Sequence, residues 1–90
     1  MKQLSQTKQF LRDIKRMNKQ GKSIGRLRAV VQQLAEGKPL DAKHHDHPLV
    51  GRWKNSRDCH IDPDWVLIYT SDATSLRLER TGTHSDLFRK

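Results

Sequence analysis

The sequence is short of cysteine, of long apolar runs and, in its first half, of acidic residues. Its single cysteine, Cys59, excludes an internal disulfide framework and a four-cysteine metal site. No stretch approaches the roughly 18 consecutive apolar residues of a membrane span. The opening Met1-Lys2-Gln3-Leu4-Ser5-Gln6 lacks the apolar segment of a signal peptide. Repeats, linkers and low-complexity tracts are missing, and so is a carboxylate cluster suited to Mg²⁺. These absences lead to the expectation of a small cytoplasmic protein with no membrane partner. At 90 residues and 33% hydrophobic content, one domain over 1–90 with a small core is expected.

What the sequence does have is charge, unevenly placed. The formal net charge is +8, and residues 1–40 carry the whole excess, with Asp13 and Glu36 their only acids. The second half is neutral and holds all five histidines, His44, His45, His47, His60 and His84. A basic excess attracts polyanions such as nucleic acid, or else keeps a helical surface soluble. The split suggests binding in the first half and chemistry in the second.

Periodicity places two helices in the basic half. Phe10, Leu11, Ile14 and Met17 lie on one helical face, with Ser5 as the expected cap. Ile24, Leu27, Val30, Val31 and Leu34 line a second helix, capped by Ser23 and stopped by Gly37 and Pro39. Three strands follow: residues 52–61, then Trp65 to Thr70, then Leu76 to Arg80. Turns at Asp62-Pro63-Asp64 and Ser71 to Thr74 join them into an antiparallel meander. Residues 1–4 offer a further edge strand. The expected fold is therefore α+β, with two N-terminal helices packed on a small antiparallel sheet.

Reactive side chains concentrate in three segments, 46–49, 59–65 and 80–88. In a meander, the turn after the first strand and the tail after the third lie at the same end of the sheet. The loop before the first strand must cross to join them. Histidine has an ordinary pKa of about 6.5 and suits proton transfer near neutrality. A set of histidines with an aspartate fits RNA cleavage: one group takes the 2′-OH proton and another protonates the leaving 5′ oxygen. A cation from Arg57, Arg77, Arg80 or Lys54 would then stabilise the phosphorane. Each residue also has a plainer role. His44-x-x-His47 has ligand-like spacing, but Cys59-His60 is adjacent and unlike the usual zinc pairs. Trp53 and Trp65 suit packing, Cys59 suits a buried strand position, and Asp46 and Asp86 suit turns or caps.

Three blocks in order carry a more specific signal. They are Asp46-His47-Pro48-Leu49-x-Gly51-x-Trp53-Lys54, Arg57-Asp58-x-His60-Ile61-x-Pro63-Asp64-Trp65-Val66-Leu67-Ile68-Tyr69, and Leu78-Glu79-Arg80-Thr81-Gly82-Thr83-His84-Ser85-Asp86-Leu87-Phe88. Over residues 46–88 the sequence resembles the YafQ family of bacterial toxins, within the RelE/ParE superfamily. The resemblance implies a RelE-like βααβββ fold. It implies a metal-independent endoribonuclease, without cofactor, that cuts mRNA on translating ribosomes. It also implies a cognate antitoxin of the DinJ type, whose complex with the toxin binds operator DNA. Matched position by position, the family's catalytic residues are His47, His60, Asp64 and His84. His84 is the expected acid, and Asp64 or His60 the expected base. The resemblance further implies that Trp65 and Phe88 stack on a base while Arg80 and Lys54 steady phosphates. Asp62 departs from the family, where a longer acid is usual; His44 and His45 fall outside its motif. Two rival functions share the sequence features: a gyrase-inhibiting toxin of the ParE type, and a non-catalytic nucleic-acid-binding module.

Overall fold

The structure, a computed structural model, describes residues 1–88. A short strand opens the chain, β1 (Gln3–Gln6), and two helices follow, α1 (Lys8–Lys19) and α2 (Ile24–Ala35). Then come β2 (His47–Pro48), β3 (Arg57–Asp62), β4 (Trp65–Ser71), β5 (Ser75–Gly82) and a one-turn helix, α3 (His84–Leu87). The strands form one sheet in the order β1-β5-β4-β3-β2. All neighbours are antiparallel except β1 and β5, which run parallel with Gln3 opposite Ser75. The α+β architecture is the expected one, with β2 and α3 added.

Local chemistry explains where the boundaries fall. Ser5 does not cap α1, because residues 3–6 are paired in β1. Thr7 takes the role: its Oγ1 accepts from Phe10 N at 2.9 Å and donates to Glu79 O at 2.8 Å. One side chain thus ends β1, starts α1 and ties both to β5. Leu11, expected on the inner face, is 46% exposed; the buried positions are Phe10, Asp13 and Met17. Ser23 occupies the cap position of α2 without a side-chain cap bond, and Gly37 ends that helix at φ +74°. The strand expected from residue 52 begins at Arg57. Before it, Gly51–Trp53 form one 3-10 turn, and Ser56 N donates to Trp53 O at 2.8 Å.

The helices cover one face of the sheet. Beneath them lie Cys59, Ile61, Trp65, Leu67, Tyr69, Leu76 and Leu78, packed with Phe10, Met17, Leu27, Val30 and Leu34. Strand residues alternate between faces, so Asp58 and His60 project to the opposite side, where they pair with Ile68 and Val66. That second face carries the candidate site. Its far side is anchored by Asp13, fully buried on α1. Arg80 donates to Asp13 through Nε at 2.8 Å and Nη2 at 3.1 Å, Arg16 Nη1 at 3.0 Å, and Thr81 N at 3.1 Å. Among the described residues, no helix is long and apolar enough to cross a membrane.

Candidate active site

The first wall of the site is built by β2 and β3. The loop before β3 does not cross a sheet face; it pairs along the β3 edge, with His47 opposite Asp58. Asp46 anchors the loop: Tyr69 Oη donates to its Oδ1 at 2.6 Å and Arg57 Nε at 3.2 Å. Burial and the Asp46 carboxylate both push the Tyr69 hydroxyl up, which keeps it a donor. Burial works against the Arg57 cation, but Asp46 and Tyr69 together outweigh it and hold the guanidinium above its usual value. His45 then takes a left-handed conformation at φ 47°. Its carbonyl accepts from His47 Nδ1 at 2.6 Å, and its ring centroid lies 5.5 Å from that of His60. His44 Nδ1 donates to His60 O at 2.7 Å, closing the open edge of β3.

The second wall comes from the end of β5 and the β3–β4 turn. Thr83 and Asp86 cap α3 reciprocally: Thr83 Oγ1 accepts from Asp86 N, and Asp86 Oδ2 from Thr83 N, each at 3.1 Å. This fixes His84 at the first position of α3. The His84 ring meets the His60 ring edge-on, centroids 5.2 Å apart at 71°. Asp64 Oδ1 lies 3.4 Å from His84 Nδ1, and the Phe88 ring is 6.1 Å away. The carboxylate only accepts, so Nδ1 carries the hydrogen and Nε2 is left to exchange a proton with a substrate.

Two shifted acidities follow from this crowding. Burial, then the neighbouring His84, hold His60 below the ordinary histidine range despite Asp58. His60 therefore favours its neutral, proton-accepting form. Burial pushes the Asp58 carboxyl up, and His47, His60 and His84 pull it partly back. Asp58 Oδ1 lies 2.9 Å from His47 Nε2, a charge contact that is not aligned as a hydrogen bond. The His60 shift is testable by following its ring protons with NMR. The parent should titrate below the usual 6.5, and His84→Gln should move the midpoint up only part of the way, since burial remains. A midpoint unmoved in His84→Gln would show that His84 is not a source of the shift.

The positions of the other expected residues differ. Trp65 is fully buried on the helix-covered face, with Nε1 donating to Thr81 Oγ1 at 2.8 Å. It has no free face for a base, so the expected stacking role is corrected to a packing one. Arg80 is bonded to Asp13 instead of facing the histidines, so its charge is already engaged. Lys54 is exposed at the end of the 3-10 turn, before β3 begins, and away from the His60 end of that strand. Cys59 is buried in the core, and burial pushes its thiol up, which removes it as a nucleophile. Sequence reasoning missed Asp58 and His45. Asp58 had a signal: at i, i+2 on a strand it must share a face with His60. His45 had none, because its place depends on the left-handed turn.

Gly82 is a tight point between α1 and α3. A Cβ there would sit 2.8 Å from Arg16 Nη2 and 3.0 Å from Asp86 Cβ. Arg16 Nη2 itself donates to Thr81 O at 3.2 Å and lies 3.6 Å from Asp86 Oδ2. Gly82→Ala is expected to cost about 1–3 kcal/mol, read as a lower urea midpoint. The ordinary entropic effect of Gly→Ala has the opposite sign, about 0.4–1 kcal/mol stabilising, so the two readings separate cleanly.

A histidine pair met by an aspartate and an aromatic ring, on a small sheet backed by two basic helices, has counterparts among known proteins. The family described as "Bacterial toxin of type II toxin-antitoxin system, YafQ" matches residues 2–89. The chain belongs to the YafQ family. The mRNA interferase toxin YafQ of Escherichia coli K12 is 44% identical over 81 residues, 89% of this chain and 88% of that protein. The crystal structure of YafQ from E. coli BL21(DE3) superposes with a TM-score of 0.93 at 39% identity, covering 98% of this chain and 99% of that one. YafQ in the crystal structure of the E. coli DinJ-YafQ toxin-antitoxin complex gives 0.90 at 41% identity, covering 97% of each chain.

Proposed function

We propose that this chain is an mRNA interferase, the toxin of a type II toxin–antitoxin system, acting as a single domain over residues 1–90. It is an endoribonuclease of the cytoplasm that cuts messages on translating ribosomes. An antitoxin like DinJ restrains it, and the complex binds operator DNA through that partner. The observation that carries this reading is the convergence of His60, His84, Asp64 and Phe88 at one end of the sheet. Membership of the YafQ family and the likeness to the YafQ of the DinJ-YafQ complex support it.

The chemistry follows from the geometry. His60, disposed to be neutral, takes the proton of the ribose 2′-OH. The 2′ oxygen attacks the adjacent phosphorus, and the P–O bond to the 5′ oxygen breaks. His84, oriented by Asp64, gives a proton to that leaving oxygen through Nε2. The products are a 2′,3′-cyclic phosphate and a 5′-OH, so proton count and charge balance without a metal. His47, held against Asp58, lines the same wall and orients the substrate. With Arg80 engaged by Asp13, protonated imidazole takes on the phosphorane charge. Phe88 supplies a ring for a base.

The deciding experiment adds purified protein to a reconstituted translation reaction, with primer extension on the message. Cuts within the translated frame are expected, with 5′-OH on the downstream fragments. Intact RNA with inhibited gyrase would replace this reading with the ParE type. Intact RNA bound with a steep salt dependence would replace it with a plain binding module. A 5′-phosphate on the downstream fragment, in place of the 5′-OH, would remove this mechanism.

A further inference from the structure

An open groove of about 940 Å³ leads from the histidine cluster to α2, at the upper end of the ~300–1,000 Å³ typical of small-ligand sites. His45 and His60 form its inner end. The opposite wall is α2, where Arg26, Ala29 and Gln33 recur one turn apart on one face. Arg26 is held in place, with Nη2 donating to Ile61 O at 3.3 Å and Nη1 lying 3.6 Å from Asp62 Oδ2. Lys43, exposed on the 3-10 turn Ala42–His44, brings a second cation to the rim. Ala29 is exposed and small between them, and Pro63 adds an apolar surface.

We propose that this groove holds the RNA nucleotide next to the scissile phosphate. The inference rests on the nuclease reading above and adds to it a place for the neighbouring residue of the substrate. An RNA whose scissile phosphate lies between His60 and His84 must continue away from them. The groove meets that point at His60, which lines it and also touches the His84 ring. Lys43 complements the phosphate of the flanking nucleotide, while Arg26 offsets the Asp62 carboxylate beside it. Ala29 and Pro63 let a flat base approach, and the Gln33 amide offers one donor end and one acceptor end to its edge. Single-stranded RNA is read in this way, by unstacked bases held at their edges. Gln33 then biases which nucleotide flanks the cut, while Lys43 contributes affinity without sequence preference.

The test uses the full chain on translated messages of varied sequence, with Gln33→Ala, Lys43→Ala, the double variant, and Lys15→Ala on α1 as a basic control. Gln33→Ala should shift the preference among flanking nucleotides by about tenfold. Lys43→Ala should raise KM by about three- to tenfold and lower the salt slope by about one. Urea midpoints should match the parent in all four. A double variant with the parent's cut-site pattern and KM overturns the inference. A double variant that cuts like the parent but no longer binds antitoxin also overturns it, and makes the groove a protein site. A parent that cuts nothing removes the nuclease reading and this one together; a parent that cuts while the variants change nothing removes this one alone.

Discussion

Asp13→Ala is expected to lower stability by about 3–5 kcal/mol, a large share of the total of on the order of 5–15 kcal/mol for a 90-residue chain. Asp13 is fully buried, yet it stays ionised because four groups face it: Arg80, Arg16, Thr81 N and Gln9. Removing the carboxylate leaves Arg80 without its partner beside α1 and the Thr81 amide without an acceptor. Burial pushes the Asp13 carboxyl up, but the bonds from Arg80 and Thr81 outweigh it and hold the group below its ordinary value. The sign of the pH dependence follows. The unfolded chain binds this proton at higher pH than the native one, so the contribution is full above the ordinary carboxylate range. It is lost as pH falls through the lowered native value. Urea titrations from neutral to acid pH, in a His84→Gln background that spares the host, check both points. An Asp13→Ala midpoint equal to the parent would mean the buried network contributes nothing.

His84→Gln is expected to reduce cleavage by about 10²–10⁴-fold, the usual worth of a positioned acid, with a stability change within about 0.5 kcal/mol. The residue is exposed on α3, and the fixed geometry comes from Thr83 and Asp86, which the change leaves alone. Glutamine keeps a polar group near Asp64 but has no proton to give. Single-turnover rates on a translating message measure the effect, and urea unfolding controls for the fold. Cutting at the parental rate would remove His84 from the mechanism.

Most of the scaffold was legible because its signals are local. The apolar periods of α1 and α2, Gly37 after α2, and the β-branched run from Trp65 each act within a few residues. What escaped depends on contacts distant in sequence. Ser5 reads as a cap until β5 pairs with it and passes the cap to Thr7. Residues 47–48 look like loop until Asp58 and Arg57 stand opposite. The site splits in the same way. His47, His60, Asp64 and His84 were named from motif and chemistry, and His60, Asp64 and His84 meet on one face. Trp65 and Arg80 were misplaced because motif membership does not say which face a strand residue takes or which charge it meets. In Trp65 the winning term is burial under the helices, and in Arg80 it is Asp13.

The parallel pairing of β1 with β5 bears on when the toxin becomes dangerous. Gln3–Gln6 leave the ribosome well before the strand they must join, Ser75–Gly82, has been made. The same holds for Thr7 with Glu79 and for Asp13 with Arg80. Synthesis is directional, and contacts of this separation close only when both ends are available. A growing chain therefore carries two basic helices without a finished sheet, and His84 follows the last strand. The polypeptide cannot cut the message that encodes it until Ser75–Gly82 and His84 have been made, which leaves that interval for a partner to engage it.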